Sequence, residues 1–171
     1  MTQSEAAALL EKITRIIPGI AGYQDREKRR DADKAVRTKA AGEVARCREL
    51  LSETMNDLSR SGSFRNLKVV GSLERTVTNL ERTEDELRFA PPGYAGWFDR
   101  EGVSLEDLER IYEYDLGLLN AAQTLLDYAG DSDRAATDQD WVTGLDEALG
   151  NLRDALEGRK RIVEGQEADS E

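Results

Sequence analysis

Apolar residues recur at steps of three and four along most of this chain, and the breaks between the runs are few. Ala6, Leu9, Leu10, Ile13, Ile16 and Ile17 share one face of a helix predicted from Ser4 to Ile17, with Ser4 as its cap and Glu5 in its first turn. Pro18-Gly19 ends it, because proline cannot continue the helical bonding and glycine accepts left-handed dihedrals. A long second helix, Asp25 to Arg60, carries Ala32, Val36, Ala40, Val44, Cys47, Leu51, Met55 and Leu58. Ser61-Gly62-Ser63 is a turn, short enough to make the third helix an antiparallel neighbour. That helix, Phe64 to Ala90, carries Val70, Leu73, Val77, Leu80 and Leu87. A fourth runs from Ser104 to Ala129, with Asp107 placed three residues after Ser104 as in a capping box. A fifth, Asp138 to Val163, follows a polar loop and carries Trp141, Leu145, Ala148, Leu149, Leu152, Ala155 and Leu156. The predicted fold is all-α: an antiparallel bundle of four long helices plus a short N-terminal one. Residues 1–163 form the bundle domain, and 164–171 read as a disordered acidic tail.

Two of the breaks are nearly the same sequence. Residues 18–27 read Pro-Gly-Ile-Ala-Gly-Tyr-Gln-Asp-Arg-Glu, and residues 92–101 read Pro-Gly-Tyr-Ala-Gly-Trp-Phe-Asp-Arg-Glu. Each copy joins one helix to the next, so the pair reads as an internal repeat of a helix–turn–helix corner. The glycines permit tight turns, and Tyr23, Tyr94, Trp97 and Phe98 bring large apolar area to the helix ends. Packing is the expected role of these aromatics. The alternative is a docking patch formed by Tyr94, Trp97 and Phe98, with Arg30 and Lys34 nearby.

A few charged residues interrupt the apolar stripes. At about 100° per residue, Asp115 falls within the face of Leu105, Leu108, Tyr112, Leu119, Ala122 and Leu126. Arg26, Arg29 and Asp33 fall on the face that Val36, Ala40 and Leu51 continue. Glu84 lies on the Leu73–Leu80–Leu87 face. A buried lone carboxylate costs several kcal/mol, so it must be paired or protonated. The economical arrangement is one polar core layer of Arg26, Arg29, Asp33 and Asp115, with Asp115 bonded to Arg26 or Arg29. Such layers usually fix helix register, and a small-ligand or enzymatic pocket is the lesser alternative.

At 171 residues the chain suits one domain with a core of its own. Its single cysteine makes no intrachain disulfide, which suits a reducing compartment. No apolar run approaches the ~20 residues of a membrane span. No basic-then-apolar leader opens the sequence, so a cytoplasmic location is expected. The net charge is −11, with residues 99–171 carrying 20 acidic and 7 basic groups. That balance disfavours nucleic acid, whose binding rests on phosphate neutralisation. Arginine outnumbers lysine 18 to 6, a composition suited to a high-GC or salt-adapted host.

The segment Arg26–Lys39 holds seven cations interspersed with Glu27, Asp31 and Asp33. Most read as i,i+4 pairs on a solvated face, and the sharper alternative is a contact for an acidic partner.

No metal or cofactor is expected. With no histidine there is no Glu-x-x-His di-iron pattern, and one cysteine makes no zinc site. The loop from Asp131-Ser132-Asp133 lacks the fifth and sixth positions of a calcium loop. No GxGxxG or Walker lysine is present. Cys47 lies on a core stripe, where thiols are usually inert. Any catalysis would have to rest on carboxylates and arginines.

In combination, Ile17-Pro18-Gly19-Ile20-Ala21-Gly22-Tyr23, Arg26-Glu27-Lys28-Arg29-Arg30 with Ala32-Asp33-Lys34, Gly93-Tyr94-Ala95-Gly96 with Phe98-Asp99, and Tyr112-Glu113-Tyr114-Asp115-Leu116 resemble an uncharacterised family of small helical bacterial and archaeal proteins. The resemblance covers residues 10–127. It implies a helical bundle and an association with SPFH/band 7-type membrane scaffold proteins and zinc-ribbon proteins, and it carries over no catalytic residue. The expected function is therefore a non-catalytic interaction or adaptor module with a protein partner and no membrane insertion of its own. A structural homo-oligomer is the alternative, using a second face of helix 4 formed by Ile111, Tyr114, Leu118 and Leu125.

Overall fold

A computed structural model describes residues 3–89, 96–131 and 139–164. They form α1 (Gln3–Ile16), α2 (Arg29–Arg60), α3 (Phe64–Arg88), α4 (Leu105–Gly130) and α5 (Gln139–Glu164), with no strand among the described residues. The protein is an all-α helical bundle, as the stripes predict. Small departures at the helix ends have local causes. The second helix does not start smoothly at Asp25: the Asp25 side chain accepts from the Glu27 backbone N–H, and Arg26–Lys28 form a 3₁₀ turn before α2. α3 stops at Arg88, short of Pro91-Pro92, since the residue before a proline is steered out of the helical region. α4 starts on the expected capping box, with the Asp107 N–H donating to Ser104 Oγ (3.0 Å) and the Ser104 N–H to Asp107 Oδ2 (3.3 Å). The Ser4 side chain, Tyr94, residues 132–136 of the calcium-like loop and residues 165–171 of the acidic tail lie outside the described residues. Glu164 is the last residue of α5 rather than the first of a tail.

α2 and α3 form one helical hairpin and α4 and α5 the other. α2 also packs on α4, α3 on α5, and α1 on α4. Bonds between chain segments show which ends meet. Arg29, at the start of α2, donates to the Phe98 and Arg100 carbonyls just before α4. Arg37 donates to the Leu87 carbonyl near the end of α3, and the Trp97 N–H donates to the Val163 carbonyl near the end of α5. One end of the bundle therefore gathers the starts of α2 and α4 and the finishes of α3 and α5. Helices are antiparallel within each hairpin, whereas the cross-hairpin neighbours α2/α4 and α3/α5 run parallel.

The core is the set of stripe residues, with Val36, Cys47, Leu51, Leu73, Leu80 and Leu145 fully buried. Burying one such leucine contributes about 1.5–3 kcal/mol. Tyrosine rings seated over glycines set the register of the α4/α5 hairpin. A Cβ on Gly158 would meet Tyr114 Cε1 at 2.8 Å, and one on Gly144 would occupy the place of the Tyr128 ring. The two pairs are fourteen residues apart on both helices, two heptads of an antiparallel seam. Ile111, Leu118 and Leu125 are buried in this hairpin. The second face of helix 4 is thus the seat of α5, and it does not supply the oligomer surface expected of it. No described helix is long and apolar enough to cross a membrane.

Candidate functional site: a buried charged layer at the repeat end

Where the ends meet, charges enter the core. Arg159 of α5 is 1% exposed, and each of its guanidinium nitrogens has an acceptor. Nε donates to Asp115 Oδ1 of α4 (2.6 Å), Nη1 to Asp33 Oδ1 of α2 (2.8 Å), and Nη2 to the phenolic oxygen of Tyr23 (3.0 Å). The Tyr23 hydroxyl in turn donates to Asp115 Oδ2 (2.7 Å). Arg37 closes the set, with Nε on Asp33 Oδ2 (2.9 Å) and Nη1 on the Leu87 carbonyl (2.9 Å). Two aspartates and two arginines balance in charge, and they tie α2, α3, α4, α5 and the α1–α2 connection into one layer.

The two repeat copies form the wall of this layer. Tyr23 and Trp97, at matching positions of the repeat, meet edge to face with centroids 5.4 Å apart. Phe98 and Tyr112 pack on Tyr23 at 6.4 and 5.6 Å. Arg29 links the copies: Nε donates to the Tyr23 carbonyl (2.9 Å), Nη1 to the Arg100 (2.8 Å) and Phe98 (3.4 Å) carbonyls, and the guanidinium lies 5.7 Å from the Trp97 ring centroid. Gly22 sits at φ +73°, where a Cβ would stand 2.5 Å from the Tyr112 hydroxyl oxygen. That hydroxyl accepts from the Tyr23 N–H at 3.1 Å.

Burial sets the electrostatics. It pushes the Asp115 carboxyl above the usual carboxylate range, against the opposing pull of Arg159 and the Tyr23 hydrogen bond. Burial also works against the charge of Arg159, yet Asp115, Tyr23 and Asp33 together hold its pKa well above the ordinary arginine value. Burial, and then Asp115, raise the Tyr23 phenol well above its usual range. The guanidinium stays charged, both oxygens of Asp115 are engaged, and no polar atom of this pair is left for a substrate.

Asp33 and Asp115 come together, as the stripe reading proposes, but through Arg159 rather than Arg26 or Arg29. Arg26 is exposed and outside the layer, and Arg29 is buried on carbonyls instead of a carboxylate. Arg159 had a signal. It is five helical turns beyond Trp141, on the face of Leu145 and Leu152, and a search for charges within that stripe finds it. The aromatic patch is corrected more sharply: Trp97 and Phe98 are each 2% exposed, so neither offers a docking surface. Arg30 is exposed and paired with Asp99 at 3.0 Å, and Lys34 is exposed. Four of the seven cations in Arg26–Lys39 are in ion pairs, but only Arg37–Asp33 and Lys39–Glu43 are i,i+4 pairs, so the expectation that most would pair that way does not hold: Lys28 pairs with Asp25 in the preceding turn and Arg30 with Asp99 of the other corner. Glu84 is half-buried and bridges Arg48 and Arg88. Cys47 is buried, and desolvation pushes its thiol up to about 12, which makes it a poor nucleophile. Among the described residues, no three His, Cys, Asp or Glu side chains gather as metal ligands would.

The chain matches no family model, and no curated protein or solved structure is similar to it. The geometry of the layer and of the surface therefore carries the functional reading.

Proposed function

We propose that this protein is a non-catalytic interaction module that docks an acidic protein partner. One observation supports it above the rest: the side chains best suited to chemistry, Tyr23, Asp33, Asp115 and Arg159, are walled in and bonded to one another. What the same end of the bundle offers to the outside is charge, from Arg26 and Lys34, which are exposed and have no carboxylate partner among the described residues. The motif resemblance adds a candidate class of partner, a membrane-associated scaffold of the SPFH/band 7 type, with this chain on its cytoplasmic side and not inserted.

The test is quantitative capture of host proteins on immobilised wild type and on an Arg26→Glu/Lys34→Glu variant. Both side chains are exposed, so the variant keeps its melting temperature. A stoichiometric protein retained by wild type and lost from the variant supports the proposal. Equal recovery on both, or a small metabolite whose binding depends on Asp115, refutes it.

A further inference from the structure

One buried charge lies outside the layer. Glu109 of α4 is 6% exposed, and its Oε1 is enclosed with no hydrogen-bond partner. Neither of its oxygens meets a cation within ion-pair distance among the described residues. An enclosed carboxylate oxygen without a partner is costly, so whatever covers it is held less tightly than its apolar contacts alone would hold it. Glu109 stands about 180° round α4 from Leu118, hence on the side turned away from α5. α1 covers that side. A Cβ on Gly22 would meet both the Tyr112 hydroxyl oxygen (2.5 Å) and Leu10 (3.2 Å), so Leu10 of α1 packs at Tyr112, one turn along α4 from Glu109. α1 finishes at the repeat end, where α4 starts, so the two run antiparallel and the chain beyond Leu10 passes back over Glu109. What it brings there is Ile13, Ile16 and Ile17, all packed in the core. Its polar groups are engaged elsewhere: Lys12 is exposed, Arg15 pairs with Glu11, and Thr14 Oγ1 donates to the Leu10 carbonyl.

α1 is also the helix with the least to hold it. It packs extensively on α4 alone, whereas each of the four long helices packs on two others. At 14 residues it is near the minimum length for an isolated helix in water, so it keeps its shape only while docked. The corner that ties it to the rest allows it to swing. Gly19 sits at φ +83° with open space around its Cβ position, and Pro18 and Gly19 are both exposed. The next anchor along the chain is Tyr23. Its hydroxyl is fixed by Asp115 and Arg159, and its N–H donates to the Tyr112 hydroxyl. The chain from Tyr23 onward can therefore stay in place while the part before Gly19 leaves.

We propose that α1 is a releasable strap, docked on α4 by its leucines and isoleucines and loosened by the buried Glu109 carboxylate beneath it. Release hydrates Glu109 and uncovers apolar surface at Tyr112 and Leu116, while the charged layer and the four long helices persist as a more stable unit. The strap uses no residue of the partner site on α2, so either reading can fail without the other.

The experiment is backbone hydrogen exchange on the full chain, read helix by helix by mass spectrometry. In wild type the α1 amides should exchange at least about tenfold faster than those in the middle of α3 and α5, because α1 opens without them. Glu109→Met keeps the side-chain length and removes the carboxylate. It should slow exchange in α1 by roughly tenfold or more, the equilibrium weight of one unsatisfied buried polar group, and leave α3 and α5 unchanged. Glu113→Met, at an exposed position of the same helix, should leave all rates as they are. Wild-type α1 as slow as α3 and α5, or α1 rates indifferent to Glu109→Met, would overturn the proposal. So would a slowing spread equally over every helix, which would make Glu109 a burden on the whole fold and not on the strap.

Discussion

Replacing Arg159 by methionine keeps most of the side-chain length and removes the charge that joins α5 to three other parts of the chain. Asp115, fully buried, is left with the Tyr23 hydroxyl alone, while Asp33 keeps Arg37. Breaking a buried pair from one side costs about 3–5 kcal/mol, because an uncompensated charge stays behind. Against the 5–15 kcal/mol (roughly) that holds a domain folded, that is a large share. Adding Asp115→Leu removes the stranded carboxylate, so the double variant should be more stable than Arg159→Met by about 2–4 kcal/mol, a non-additivity that marks a coupled unit. The pH dependence has a definite sign. Burial already raises Asp115, and losing the guanidinium raises it further, so the folded variant binds a proton that the unfolded chain releases. Its stability is then greatest below the ordinary carboxylate range and falls as pH rises through the raised value, and the Arg159→Met deficit should be smaller at about pH 5 than at about pH 8. Urea unfolding followed by far-ultraviolet circular dichroism at both pH values measures all three quantities. A cost under about 1 kcal/mol, or a double variant equal to the sum of the singles, would show that the layer does not act as a unit.

Alkaline pH should weaken the fold through Cys47, Tyr23 and Tyr112, all raised by burial, because the folded state holds protons that the unfolded chain gives up. For Cys47, pushed from 9.0 to about 12, the loss should reach about 3 kcal/mol by about pH 11, and a Cys47→Ala variant with the same urea-midpoint profile as wild type would exclude the thiol as its source. Gly144→Ala should destabilise the α4/α5 hairpin despite the better helix propensity of alanine, because the new methyl needs the space of the Tyr128 ring. Gly117→Ala, with open space around its Cβ, should stabilise by up to about 1 kcal/mol, and equal melting temperatures for the two variants would refute the ring-over-glycine account of the register.

Each long helix was legible in the sequence because its evidence is local. The stripes of Val36–Leu51, Leu73–Leu87 and Trp141–Leu152 are spaced by a period that any chain with a buried face must obey, and the Ser104–Asp107 box is a contact between residues three apart. The polar layer was half legible. Asp33 and Asp115 stand out as charges within apolar stripes, and burial demands a counterion for them. The sequence cannot rank candidate counterions, since Arg26 and Arg29 lie near in the chain whereas Arg159 is 126 residues from Asp33. Trp97 and Phe98 were ambiguous for the same reason: an aromatic pair after a glycine turn is equally compatible with a patch or a plug until its neighbours are placed.

By itself, then, the sequence determined that this is a bundle of long amphipathic helices, where the chain turns, and that charge enters its core near the repeated corners. Tertiary structure decided that the hairpins pack with α2 beside α4 and α3 beside α5, that Arg159 is the cation of the layer, and that Tyr23 and Trp97 close the corner against each other. The physical division is one of range. Periodicity, caps and breakers act within a turn or two of backbone, whereas the pairing of buried charges and the facing of surfaces depend on which distant helices share a side.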